Sequence, residues 1–406
     1  MHIAPPLRAL PVFRNEGGAQ FFERAYSPAE TLRRVWPHLP RFGVTRLARQ
    51  TDLDRVGIPC WAAFRPNAKS LASAQGKGLD DASACVSAAM EALEVAVAEN
   101  PDCIARMATA DELISARDAW FNPERLLPFG TPFDPALEIT WFLGEDALTK
   151  LPIWVPGDAV DLDGGRSDLK GICKSTNGLA SGNTRDEALF HALCELVERD
   201  ATTLWSLVPL ASSSASCFAP EQLGEPAVDR LAAEIDRAGL RLRLFNQTSD
   251  LGVPVVMAVV GPKIGAGASE LEVAAGYGAH PLAARAAIRA ITEAAQSRVT
   301  SIAASRDDIH SASFNSTATS SSLTLLDSTP LADPPLDSTR SRLLSGLIAS
   351  VLASLAARNC GVVAVDLVAT ALPFHVVKVL SGDLEDRDAN INWRPGWRSF
   401  DVLSPR

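Results

Sequence analysis

Four residues in one short segment have the types and spacing to do metal or phosphate chemistry together. They are Glu187, Glu195, Glu198 and Arg199, all within NGLASGNTRDEALFHALCELVERDA, residues 177–201. Side chains three and four apart share one face of a helix, so Glu195 and Glu198 stand side by side and Arg199 follows directly. Neighbouring carboxylates taken out of water repel and lose hydration unless something positive compensates. A divalent cation compensates both. Magnesium takes carboxylate oxygens together with substrate phosphates, and the planar fork of arginine suits a phosphate. The pattern points to a nucleotide–metal site.

The same spacing recurs along the chain. Gly78, Ala84, Ala88, Glu91 and Glu94 match Gly182, Ala188, Ala192, Glu195 and Glu198, every pair 104 residues apart. A third copy, Ala286, Ala290, Glu293 and Gln296, lies 202 residues beyond the first and is introduced by GYGAH. The shared pattern is a glycine turn, then A-x-x-x-A-x-x-E-x-x-[EQ]. Its alanines let a helix pack closely, and its acids follow on the same side. One E-x-x-E pair alone is an ordinary solvated helix face, and Arg289 with Glu293, at i and i+4, also suits a simple helical ion pair. Three copies in register favour a common job. SAQGKG (73–78), which contains Lys77, and SGNT (181–184) read as glycine turns that offer backbone donors to an anion in front of a helix. Neither has the G-x-x-x-x-G-K-[ST] spacing of a Walker motif. His191 and His280 lie near these segments and read as structural histidines.

The elements that must position these residues are legible in outline. Helices are predicted from Ser27 and Pro28 onward, over 82–99, 186–206, 226–238, 282–299 and 339–357. FGVTRLARQT, VGIPCWAAFRP, ITWFLG, LPIWVP, LRLRLFNQT, VPVVMAVVG, GVVAVDLV and FHVVKVL read as strands. Residues 304–338 are dominated by Ser, Thr, Asp and Pro and read as a flexible insertion. The interleaving predicts a mixed α/β (α+β) chain, divided into an N-terminal subregion (1–60), a main domain (61–390) and a short tail (391–406).

Composition bounds the function. A net charge of −10 with no long basic run disfavours a reader of nucleic-acid backbones. No apolar stretch is long enough to span a bilayer, and MHIAPPLRALPVF lacks the pattern of a secretory signal, so a cytoplasmic protein is expected. The seven cysteines are scattered, odd in number and without CxxC spacing, against a disulfide framework or structural zinc.

On these residues the chain resembles the YcaO family, and NGLASGNTRDEALFHALCELVERD is similar to that family's most characteristic segment. SLASAQGKG followed by SAAMEALE, and RAAIRAITEAAQSR, support the resemblance, which runs from about residue 60 to 300 and more loosely to 380. It implies ATP and Mg2+ as cofactors, in a fold unrelated to the P-loop. It implies nucleotide or metal contacts at Lys77, Glu91, Glu94, Asn183, Glu187, Glu195, Glu198, Arg199, Arg289 and Glu293. Among these it implies Glu91, Glu94, Glu187, Glu195, Glu198 and Glu293 on the metal and a catalytic role for Glu195, Glu198 and Arg199. Two positions depart from the family pattern, Val95 after the first E-x-x-E and Ala180 before the central glycine.

The implied chemistry is activation of a peptide-backbone amide by ATP, giving an azoline when a neighbouring side chain attacks and a thioamide when sulfide does. The segment AYSPAETLRRVWPHLPRFGVTRLARQTDLDRVGIPCW is similar to YcaO proteins that work beside a TfuA-type partner, a branch associated with thioamides. The ending RPGWRSFDVLSPR lacks the proline-rich tail common in azoline formers. The expected partners are a ribosomally made peptide, a TfuA-like protein, a separate leader-recognition protein and a second copy of the chain in a homodimer.

Overall fold

A computed structural model describes residues 10, 11, 13, 23–263, 269, 272–304, 317–368, 371–388 and 390–404. From the N-terminal side come α1 (Pro28–Val35), β1 (Arg46–Arg49), β2 (Cys60–Phe64), β3 (Ser73–Lys77), α2 (Asp81–Ala98), β4 (Ala105–Ala108) and α3 (Ala110–Ala116). Next are β5 (Ile139–Asp146), β6 (Pro152–Pro156), β7 (Leu179–Gly182), α4 (Arg185–Ser206), α5 (Leu210–Ala215), β8 (Cys217–Phe218) and α6 (Pro226–Arg237). Then follow β9 (Leu240–Asn246), β10 (Val255–Pro262), β11 (Ala274–Ala279), α7 (Ala283–Ala303), α8 (Ser320–Leu326), α9 (Leu344–Ala357), β12 (Val363–Asp366), β13 (His375–Leu380) and α10 (Trp397–Leu403). The expected mixed α+β class is what the chain adopts. Helix α1 starts as its sequence directs, with Ser27 Oγ accepting from Glu30 N at 3.3 Å and Pro28 in the first turn.

Contacts divide the chain into two units, one with Tyr26–Ala92 and Val208–Arg340, the other with Glu23–Ala25, Leu93–Leu207 and Ser341–Arg406. In this division one boundary falls inside α2 and another after α4. The first unit holds two antiparallel sheets, β1-β2-β3 and β11-β10-β9-β8. Strand β10 is apolar at nearly every position because it is covered on both sides, by α7 and by α8, so its side chains have no solvent face to alternate toward. Its core joins Leu244, Val256 and Val260 of the sheet to Val228, Leu231 and Ile235 of α6 and to Ala286, Ala290 and Ile291 of α7.

The second unit is built on a six-stranded antiparallel sheet, β4-β5-β12-β13-β7, with β6 also on β5. Helix α4 packs on β13 and β7, and α9 and α10 pack on α4. A satellite core under β5 centres on Trp141, whose indole N–H donates to Ala108 O at 3.0 Å.

In three strand–helix pairs the repeat brings a strand glycine against the helix backbone, although not always at the same repeat position: Gly76 matches Gly278, whereas Gly182 matches Gly78. A Cβ added to Gly76 of β3 would lie 2.1 Å from Ala84 O and Ala88 N of α2. One added to Gly182 of β7 would lie 2.6 Å from Ala188 N of α4, and one on Gly278 of β11 would lie 2.2 Å from Ala286 O of α7. Gly276 is as tight, 2.1 Å from Ala294 N. The helix backbone touches the strand backbone, and the recurring alanines are the residues that permit it. This corrects the reading of SAQGKG, SGNT and GYGAH as turns: Ser73–Lys77 and Ala274–Ala279 are strands, and Ser181–Gly182 ends a third. The glycines answer a demand for closeness, not for a bend.

The insertion at 304–338 also differs from its sequence reading. Residues 305–316 lie outside the described residues. Further on, α8 buries Leu325 and Leu326, with Leu326 seated against Gly261 of β10. Arg243 Nε donates to Ser328 O at 2.6 Å, and Asp337 accepts from Ala283 N at 2.8 Å, capping α7, which has no side-chain cap of its own. Two leucines in a polar stretch are enough to dock it, a fact that average composition conceals.

Because backbone atoms cannot give way to an added methyl group, Gly276→Ala is expected to cost about 3 kcal/mol or more. Gly164→Ala, whose added Cβ meets nothing within 4 Å, should change stability by less than about 0.5 kcal/mol. Urea unfolding followed by circular dichroism checks the pair, and equal effects would contradict the close-approach account.

Candidate functional site

In the first unit the acids of α2 and α7 are used in matching ways. Glu91 accepts from Gln75 N at 3.3 Å, and Glu293 accepts from Tyr277 N at 3.4 Å. Both donors lie on strands at the edge of their sheets and are related by the same 202-residue shift as the acids. An edge strand presents backbone N–H groups with no neighbouring strand to receive them, and each glutamate takes one. Lys77, at the end of β3, forms an ion pair with Glu293, so two residues singled out from sequence meet. Arg289 is half-buried on α7, its Cβ packed over Gly278.

In the second unit Thr184 caps α4 by accepting from Glu187 N at 3.2 Å. The buried Glu187 carboxylate is already well supplied with donors. It receives Asn183 N and Nδ2, each at 3.0 Å, Ala25 N at 2.5 Å, and the Arg24 guanidinium at 3.5 Å. Glu187 therefore serves here as the anchor of Asn183 and of the Glu23–Ala25 segment, and a metal ion at this carboxylate would have to displace donors. Further along α4, Glu195 pairs with Arg199 at 3.9 Å, one turn apart, while Glu198 is 6% exposed.

The next turn of α4 is fixed from the C-terminal segment. Asp200 is fully buried and takes a two-pronged bond from Arg398, Nε and Nη2 each at 2.8 Å, together with Glu385 N at 3.0 Å. Glu385 in turn accepts from Trp393 Nε1 and Gly396 N, both at 2.9 Å. The turn that carries Glu198 and Arg199 is held by residues almost two hundred positions away.

Sequence reasoning missed Arg24, Asp200, Arg398 and Lys378. Lys378 lies on β13, 2% exposed, and its ammonium donates to Ser175 O at 2.5 Å and Asn177 O at 2.7 Å. Burial pushes it down to about 8, while the Glu195, Asp386 and Glu94 carboxylates favour its charged form. The signal was a lone lysine within the apolar run FHVVKVL. Arg398 gave no comparable sign. His280 is buried, and its Nδ1 accepts from Leu282 N at 2.9 Å.

Glu91, Glu293, Lys77 and Arg289 belong to the first unit; Glu94, Asn183, Glu187, Glu195, Glu198 and Arg199 belong to the second. Among the described residues no three His, Cys, Asp or Glu side chains gather closely enough to hold a metal unaided. Magnesium does not require such a cage, since it keeps waters and takes one or two carboxylates plus phosphate oxygens. The donor set fits it. Asn183 Oδ1 is buried and has no hydrogen-bond partner among the described residues, a hard oxygen beside an acidic helix.

The sequence profile of the YcaO cyclodehydratase family, described as ATP- and Mg2+-binding, matches residues 75–385. A Rhizobium leguminosarum bv. trifolii protein encoded in the tfuA 3′ region is 40% identical over 297 residues, 72% of this chain and 70% of that protein. A Methanothermobacter thermautotrophicus protein is 34% identical over 298 residues, 72% of this chain and 74% of that one. Among solved structures, YcaO from Methanopyrus kandleri bound with AMPPCP and Mg2+ superposes with a TM-score of 0.70 at 25% identity, covering 92% of this chain and 96% of that one. A heterocyclase in complex with substrate and cofactor shares the fold, with a TM-score of 0.74 at 22% identity over 89% of this chain, which spans about half (53%) of its length.

The chain belongs to the YcaO family and is an ATP-dependent enzyme of that family, with ATP and Mg2+ as its cofactors. Arg398→Met would strand the buried Asp200 charge and is expected to cost about 3–5 kcal/mol. Adding Asp200→Asn should recover part of that loss in chemical denaturation. A loss of less than about 1 kcal/mol for the single variant would remove the anchoring role of the pair.

Proposed function

We propose that the protein activates a backbone amide of a ribosomally made peptide with Mg2+-ATP and installs a thioamide, using sulfur from outside the chain and a TfuA-like partner in the cytoplasm. The observation that carries the choice of thioamide is the relative encoded beside tfuA, 40% identical over most of this chain. A separate leader-recognition protein and a homodimer complete the proposed assembly.

When bound, Mg2+-ATP supplies the phosphoryl group that converts an amide oxygen, otherwise a poor leaving group, into a good one. The chain's own part is to bind, orient and neutralise. Glu94, Glu195 and Glu198 are the proposed carboxylates for the metal in the second unit, with Asn183 Oδ1 as a neutral oxygen donor and Arg199 as a fork for phosphate. Lys77, Glu91, Arg289 and Glu293 form the proposed polar set in the first unit. Glu187 holds Asn183 and Arg24 in place, and further reaches the metal only if those donors move.

External sulfur accords with the state of the thiols. Burial raises Cys60, Cys85 and Cys103 to about 12 and Cys217 to about 11, so at neutral pH each is the weakly nucleophilic thiol. The second reading is an azoline-forming cyclodehydratase, favoured by the name of the family profile. A non-catalytic nucleotide-binding partner is disfavoured by the retention of every acidic position.

Mass spectrometry of a candidate peptide co-expressed with the enzyme, its partner and a sulfide source separates the readings. Exchange of oxygen for sulfur is the expected result, loss of water would replace it with the azoline reading, and an unmodified peptide would contradict both. Cys85→Ala should retain sulfide-dependent modification, with at most a stability loss from the smaller side chain.

A further inference from the structure

The two acidic helices that reach the second unit are not equal in charge. On α4, Glu198 is followed by Arg199, which pairs with Glu195. At the matching place on α2, Glu94 is followed by Val95, and α2 contains no lysine or arginine at all. A positive charge near Glu94 has to come from another element. Strand β13 brings one. Lys378 is buried there, pairing in register with Leu179 of β7 and Val365 of β12, and the charges of Glu195, Asp386 and Glu94 favour its ammonium form.

The strand places it firmly. Val379 N donates to Gly178 O at 2.7 Å, and a Cβ on Gly178 would strike both Val379 O and Leu196, the neighbour of Glu195 on α4. Through Ser175 O and Asn177 O the ammonium also holds the start of the NGLASGNT segment, whose Asn177 Nδ2 bonds Asp386 at 2.8 Å. A buried lysine needs acceptors, and the two carbonyls supply them.

We propose that Lys378 is a positioning residue that supplies, from β13, the built-in positive charge that the first acidic helix lacks. Its charge offsets that of Glu94 and Glu195 and tunes the site toward metal-bound nucleotide and away from free metal. The proposal rests on the nucleotide–metal reading of these acids. Its consequence has opposite signs for two ligands: removing a fixed positive charge strengthens the attraction for a bare divalent cation and weakens that for a polyphosphate. A side chain that merely props the 175–178 loop would weaken both.

The full-length protein is titrated at one neutral pH with Mn2+ alone, followed by electron paramagnetic resonance, and with a non-hydrolysable ATP analogue plus Mg2+, followed by calorimetry. Lys378→Gln keeps a donor for the carbonyls without the charge, Lys378→Met removes both, and Lys378→Arg keeps the charge. The expected result for Gln and Met is Mn2+ bound about tenfold more tightly and the analogue about tenfold more weakly, with Arg within about threefold of wild type for both. If both affinities fall together in Met and Gln restores them, or if neither changes in a folded Gln variant, the proposal is overturned. Failure of the wild-type protein to bind Mn2+ or the analogue would instead overturn the nucleotide reading, and the proposal with it.

Discussion

Backbone contact between a strand and the helix that follows it is the constraint on which the rest depends. At Gly76, Gly182 and Gly278 the helix lies so near that no Cβ fits, and alanines at the matching helix positions accept the approach. Close contact fixes both the height and the rotation of the helix, because interpenetrating surfaces without side-chain slack have one register. One turn beyond those alanines stand the acids. Their positions follow from the glycines before any electrostatic interaction is considered.

The electrostatics then sort the acids by task. Glu91 and Glu293 spend an oxygen on edge-strand N–H groups, and Glu187 gathers Asn183, Ala25 and Arg24. Glu195 stands with Arg199 along its own helix and, with Glu94, under the influence of Lys378. Glu187 and Glu198 are buried and the others half-buried, and a buried charge persists only with compensation, since one left uncompensated costs several kcal/mol. Asp200 and Arg398 show the same rule at a purely structural position, where the two-pronged bond ties the C-terminal segment to α4.

Much of this was legible in the sequence because periodicity reports on local geometry. The 104- and 202-residue shifts brought out Glu91, Glu94, Glu195, Glu198 and Glu293, and the apolar runs gave β10, β12 and β13. Where pattern reading failed, a contact distant in sequence decided the outcome. Gly76 and Gly276 looked like turn residues because the helix above them is not visible in their own segments. Leu326 was lost in a polar average, and Lys378 and Arg398 find their partners some two hundred residues away.

The central claim is that the carboxylates at the end of the repeat on α4 hold a magnesium ion with its nucleotide and are not needed by the fold. Calorimetry of ATP binding across a magnesium series, on wild type and Glu198→Ala, tests it most directly. The account predicts that wild-type affinity depends on magnesium, and that the variant loses this dependence and about tenfold or more of its affinity while melting no earlier than wild type. Unchanged, magnesium-dependent binding in a folded Glu198→Ala protein would contradict it.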